Sequence, residues 1–205
     1  MTVQSFDEVL RKVGECGLYQ KRILFIVCVT SGAVIMHNLS PVFTMKIPPH
    51  RCKIPGLEND TYQIQSPQHA LRINRSIPLD DDGDYVTCTV YDVTLVNESE
   101  VACDDWVYDK SVFKSTYVTE LNLVCGRKQY RSHSTMMMFL GKFLGAFLNS
   151  IGGDYFGRRR MYLVMVLGMT ATGVGLIFVS NLTTLMVLRF LTGATTTGAY
   201  LPAYV

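Results

Sequence analysis

The sequence predicts an all-α membrane protein of four spans, with one large disulfide-braced loop after the first span. Three observations predict it. The apolar residues of this 205-residue chain concentrate in 23–45 and 134–205, while 46–132 is polar. The run Asp154-Tyr155-Phe156-Gly157-Arg158-Arg159-Arg160 is a short basic turn squeezed between two apolar stretches of span length, and about 20 residues cross a bilayer core. Four cysteines lie together in the polar segment.

Residues 1–22 lack the apolar stretch of a cleavable signal peptide. Phe6, Val9, Leu10 and Val13 recur at helical spacing among Asp7, Glu8, Arg11 and Lys12, which reads as an amphipathic stretch. Lys21 and Arg22 precede the first apolar run and favour a cytoplasmic N-terminus. Residues 23–44 then form the first span and 45–133 an extracellular cap. Residues 134–153 form the second span, 154–160 a cytoplasmic turn, 161–180 the third span and 183–204 the fourth. Arg127, Lys128 and Arg131 fall on the outside, where the positive-inside bias is weak because the loop is long. The expected setting is the plasma membrane, with the lipid bilayer as the first partner. The chain stops at Val205, at the end of the fourth span, so a piece of a longer chain is expected.

Cys52, Cys88, Cys103 and Cys125 lie in the cap, on the oxidising side. Four such cysteines give two disulfides and three possible pairings. Cys16 and Cys28 lie where thiols stay reduced. Three sequons, at Asn59, Asn74 and Asn97, sit in the same loop and are the expected glycosylation sites.

Two motifs after the first span make a family resemblance specific. Pro48-Pro49-His50-Arg51-Cys52 resembles the organic cation/anion/carnitine transporters (solute carriers) of the major facilitator superfamily. So does Cys103-Asp104-Asp105-Trp106-Val107-Tyr108, followed by Thr119-Glu120-Leu121-Asn122-Leu123-Val124-Cys125. Phe6-Asp7-Glu8-Val9-Leu10 and Val13-Gly14-Glu15 also look like that family. The resemblance runs from about residue 6 to 205. It implies the first four helices of a twelve-span major facilitator fold and transport of a small organic ion by alternating access. The partners it implies are that ion (cation, anion or a zwitterion such as carnitine) and the missing C-terminal half of the same transporter. Residues 1–205 alone would then not transport. Family pairing implies Cys52 with Cys103 and Cys88 with Cys125. Members often carry six loop cysteines, so one bridge is expected to be absent.

The superfamily's loop between spans two and three reads G-x-x-x-D-R-x-G-R-R/K. Here Asp154, Gly157, Arg158 and Arg159 match, Ser150 replaces the first glycine and Tyr155 the usual arginine. The resemblance implies a gate that holds the cytoplasmic side closed through Asp154. A purely topogenic basic turn is the plainer reading. Arg189-Phe190-Leu191-Thr192-Gly193 resembles the fourth-span R-x-x-Q-G pattern, with Thr192 for glutamine, and marks Arg189 as a substrate-cavity candidate. The alternative is an arginine that snorkels to the interface. His37 and Asn38, mid-depth in the first span, resemble the His-Asn of organic anion members and are also cavity candidates. Helix–helix hydrogen bonding is their alternative. Lys142 has no family counterpart; lipid-facing, snorkelling and cavity positions all stay open. Gly141, Gly145, Gly193, Ala194, Gly198 and Ala199 suit close helix packing.

Other classes find no motif. A net charge of +2 does not argue for nucleic acid. There is no Gly-x-x-x-x-Gly-Lys phosphate loop, no zinc-spaced His/Cys cluster and no assignable catalytic triad, so neither an enzyme nor a cofactor or metal is expected. The rival is a four-span adhesion or junction protein, which the basic turn and intramembrane Arg189 do not fit.

Overall fold

The computed structural model describes residues 17–81, 83–91 and 99–204. The amphipathic stretch at 6–13, Cys16 and the Asn97 sequon lie outside them. Among the described residues four long helices occur: α1 Leu18–Thr44, α4 Gln129–Phe156, α5 Arg158–Ile177 and α6 Leu182–Tyr204. Between α1 and α4 run β1 His50–Cys52, α2 Pro67–Ser76, β2 Thr89–Tyr91, β3 Glu100–Ala102, β4 Trp106–Tyr108 and the short α3 Tyr117–Glu120.

Among the described residues three helical stretches are long and apolar enough to cross a membrane: Gln20–Thr44, Cys125–Phe156 and Arg158–Ile177. Leu182–Tyr204 has the length, at about 35 Å for 23 residues. Arg189, Thr192 and the Thr195-Thr196-Thr197 run lower its apolar character. Helix α1 starts at Leu18, before the first apolar run, because Tyr19-Gln20-Lys21-Arg22 has nothing to stop a helix. The basic turn is shorter than the sequence implies. Helix α4 continues through Phe156 and α5 begins at Arg158, so Gly157 alone separates them. Its φ of +86° ends α4 in the left-handed region that favours glycine, and its carbonyl accepts from Met161 N–H to open α5. Arg158, Arg159 and Arg160 therefore sit in the first helical turn.

The chain divides into two compact units. One holds the described part of 1–39 with 138–177 and 190–204; the other holds 40–137 and 178–189. In the first, glycines set the packing of α4 on α6. A Cβ on Gly141 would run into the Phe190 carbonyl oxygen, one on Gly193 into that of Met138, and one on Gly145 would meet Ala194 Cα at 2.6 Å. Asn149 Nδ2 donates to the Ala194 carbonyl at 3.0 Å. Val34, Met169 and Ala199 are buried together beside Met165 and Val166. Many large apolar side chains face outward instead, among them Phe25, Phe143, Phe147 and Leu167, as lipid or further helices require. Gly193→Ala is expected to force α4 and α6 apart and cost about 1–3 kcal/mol. Gly32→Ala, where the added Cβ meets nothing within 4 Å, should be neutral or slightly stabilising. Thermal unfolding of both variants in detergent checks the contrast; equal melting would refute it.

The second unit is built of short pieces. β1 pairs antiparallel with β4, His50 opposite Tyr108 and Cys52 opposite Trp106. β2 pairs antiparallel with β3. α2 begins at a Ser66 N-cap that accepts from His69 N–H, with Pro67 at the first helical position. Ile73 on its buried face and Ile77 at its C-cap pack against Cys52, Ile54 and Val90. A second cluster gathers Tyr108, Val118, Leu123 and Val124, with Leu182 beside it. Burial pushes the Tyr108 phenol up to about 12, so it stays protonated and donates to Asn122 Oδ1 at 3.0 Å.

Candidate functional site

Unit by unit, the polar residues of the long helices fall into distinct settings. In the first unit Lys142, on α4, donates its ammonium to Asn38 Oδ1 on α1 at 2.8 Å. The Phe139 ring lies 5.1 Å from the same nitrogen, one turn earlier on α4. Asn38 is exposed and Lys142 half-buried, so the pair borders open space. His37 turns toward another helix: a Cβ on Gly173 of α5 would stand 2.9 Å from its Cε1. The two neighbouring residues thus meet different helices, Asn38 meeting α4 and His37 meeting α5. Thr30 and Tyr162 add a third polar contact, hydroxyl to hydroxyl at 2.5 Å, between α1 and α5.

Arg189 belongs to the second unit and is 3% exposed. Its Nη2 donates to Thr44 Oγ1 at 3.2 Å, and the Thr44 hydroxyl in turn donates to the Ser40 carbonyl. The guanidinium lies 5.7 Å from the Tyr117 ring centroid. Burial raises the Tyr117 phenol and the nearby Arg189 charge partly offsets it, so the ring stays neutral and presents its face to the cation. The arginine ties the start of α6 to the end of α1 and to α3.

Ser150, Asp154, Gly157, Arg158 and Arg159 are all exposed. Among the described residues no ion pair joins Asp154 to these arginines. Asn59 is exposed; Asn74 is exposed too, but sits on α2 and accepts from the Tyr85 hydroxyl. Cys52 is bonded to Cys103 and Cys88 to Cys125, and Cys28 is a free, exposed thiol.

Sequence reading passed over a buried charge cluster in the second unit. Asp60, with a fully buried side chain, takes Nη1 of Arg51 on Oδ2 at 2.9 Å and Nη2 on Oδ1 at 2.5 Å. Arg51 also donates to the Cys52 and Thr61 carbonyls. Gln65 N–H donates to His69 Nδ1, so the ring proton sits on Nε2 and goes to Asp60 Oδ1 at 2.9 Å. Ile54 N–H completes the set on Asp60 at 2.9 Å. Burial works to raise the Asp60 pKa, but the Arg51, Ile54 and His69 hydrogen bonds and the Arg51 charge outweigh it and hold the carboxyl below its ordinary value. The signal was hidden because Arg51 read as part of a family motif and Asp60 as the middle of a sequon. These groups are buried and bind one another, so the cluster is structural.

Comparison with known proteins adds to this geometry. Residues 87–205 match the family model described as sugar (and other) transporter. The chain is 32% identical to an organic cation transporter-like protein of Drosophila melanogaster over 98% of its own length and 36% of that protein. It is 31% identical to solute carrier family 22 member 6-A of Xenopus laevis, over 95% of the chain and 37% of the relative. With rat solute carrier family 22 member 7 the figures are 32%, 95% and 39%. The chain spans little more than a third of the length of these relatives. Their names give the adhesion reading no support.

Proposed function

Because the chain belongs to the organic cation/anion/carnitine transporter family (solute carrier family 22) of the major facilitator superfamily, we propose that it forms part of a transporter of small organic ions working by alternating access. Members of this family are multi-pass membrane transporters and not enzymes. The observation that carries the proposal is the Asn38–Lys142 pair between α1 and α4. Two polar side chains meet there in helices that are otherwise apolar, and such groups border substrate paths when they face a cavity. In this reading His37, Asn38 and Arg189 are cavity candidates, with Arg189 also holding the start of α6 through Thr44 and Tyr117.

Helix α6 serves as the fourth span, with the N-terminus cytoplasmic and the 45–133 segment extracellular at the plasma membrane. Asn59, Asn74 and Asn97 carry glycans. Ser150, Asp154, Gly157, Arg158 and Arg159 form the cytoplasmic gate, and the single-residue break at Gly157 between α4 and α5 supports this. The glycine contacts between α4 and α6 keep that pair together while the halves rock.

The test is uptake by cells expressing the full transcript that carries these residues. Radiolabelled small organic cations, anions and zwitterions are offered, with surface biotinylation to count the protein. Uptake of at least one class well above mock-transfected cells is expected. Abundant surface protein with no uptake of any class would overturn the proposal.

A further inference from the structure

The four expected spans, 23–44, 134–153, 161–180 and 183–204, contain two cations, Lys142 and Arg189, and no aspartate or glutamate. Intramembrane charges without a countercharge are costly, so the two arrangements need separate accounts. Arg189 is buried against Thr44 and the Tyr117 ring. Lys142 differs. It is half-buried on α4, and among the described residues no carboxylate pairs with it. The Asn38 amide oxygen receives one of its three N–H donors. That orientation turns the Asn38 amide N–H₂ away as a further donor beside the ammonium. The pair is therefore cationic, rich in donors and short of acceptors, with the Phe139 ring on its flank.

A carboxylate or sulfate ester fits this chemistry. It supplies the missing negative charge, its two or more oxygens can take the ammonium and the amide together, and an apolar body can lie along the phenyl ring. An organic cation meets the repulsion of the ammonium and finds donors where it needs acceptors. We propose that Lys142 and Asn38 form an anion-recognition pair that makes this transporter select small organic anions over organic cations. The inference rests on the transport reading above and adds the sign of the substrate.

The experiment uses the full transcript product in cells, with radiolabelled benzoate as the anion probe and tetraethylammonium as the cation probe, each normalised to surface protein. Wild type is expected to take up benzoate and not tetraethylammonium, with benzoate uptake inhibited by other aromatic carboxylates and sulfates. Lys142→Gln should raise KM for benzoate at least tenfold, and Lys142→Arg, which keeps the charge, should recover part of that loss. Tetraethylammonium uptake by wild type, or an unchanged benzoate KM in Lys142→Gln at equal surface amount, overturns the inference while leaving transport intact. If the glutamine variant fails to reach the surface, the wild-type competition series decides: inhibition by quaternary ammonium compounds and not by carboxylates overturns it. Uptake of neither probe nor of any other organic ion removes the transport reading itself.

Discussion

Asp60→Asn is expected to destabilise the segment between α1 and α4 by about 3–5 kcal/mol, the usual cost of breaking a buried ion pair from one side. The carboxylate receives two Arg51 donors, the His69 Nε2 proton and the Ile54 amide. Asparagine removes the charge and puts an N–H₂ where an acceptor is needed. Arg51 is 3% exposed, so its guanidinium would be left buried without a countercharge. Replacing both partners with apolar side chains, as in Arg51→Met with Asp60→Leu, should cost much less, since no orphan charge remains. Thermal unfolding and limited proteolysis of the detergent-solubilised protein measure both. A single variant that melts within about 1 kcal/mol of wild type would show the pair to be energetically idle.

The same cluster sets a pH dependence. Asp60 is held below its ordinary value in the fold, so the unfolded chain binds the proton more tightly. Its contribution is then fully present above the unfolded value of about 3.9 and is lost as pH falls through the lower folded value. Wild-type stability should decline as pH falls below about 4, and this component of the decline should be missing in Asp60→Asn. A variant that keeps the full acid slope would assign the slope to other carboxylates.

How much of this was legible beforehand follows from range. The long helices were legible because each apolar run is continuous and long, which needs no knowledge of partners. The break between α4 and α5 was only half legible. The basic residues marked a turn, yet nothing in a row of arginines says that they enter the next helix, leaving Gly157 alone between the two. Helix α2 was missed although Ser66-Pro67 is a helix-start signal, because the surrounding segment was read for cysteines and sequons. Lys142 stood out at once as a charge in a span, but its partner lies 104 residues away on α1. The Arg51–Asp60–His69 cluster is a tertiary arrangement of commonplace polar residues, and no spacing rule in the sequence marks it.

The second large effect is expected at the disulfides. β2 and β3 bring Cys88 and Cys103 side by side, where Cys103 N–H donates to the Cys88 carbonyl at 3.2 Å. From this junction one bond reaches back to Cys52 at the end of β1, and the other reaches forward to Cys125 just before α4. The closed loops span 51 and 37 residues and interleave along the chain. Loop-closure entropy gives about 4 kcal/mol for each alone. The strands have three residues each and bury too little surface to hold this arrangement by themselves. Removing either pair as alanines is therefore expected to cost about 2–5 kcal/mol. Because the loops overlap, one bond already shortens the path the other must close. Removing both should then cost more than the two single-pair losses added together. Thermal unfolding of Cys52→Ala/Cys103→Ala, Cys88→Ala/Cys125→Ala and the fourfold variant measures all three. Losses that simply add would mean the two crosslinks constrain independent parts of the unfolded chain, and no loss at all would place the stability of this segment in its two apolar clusters alone.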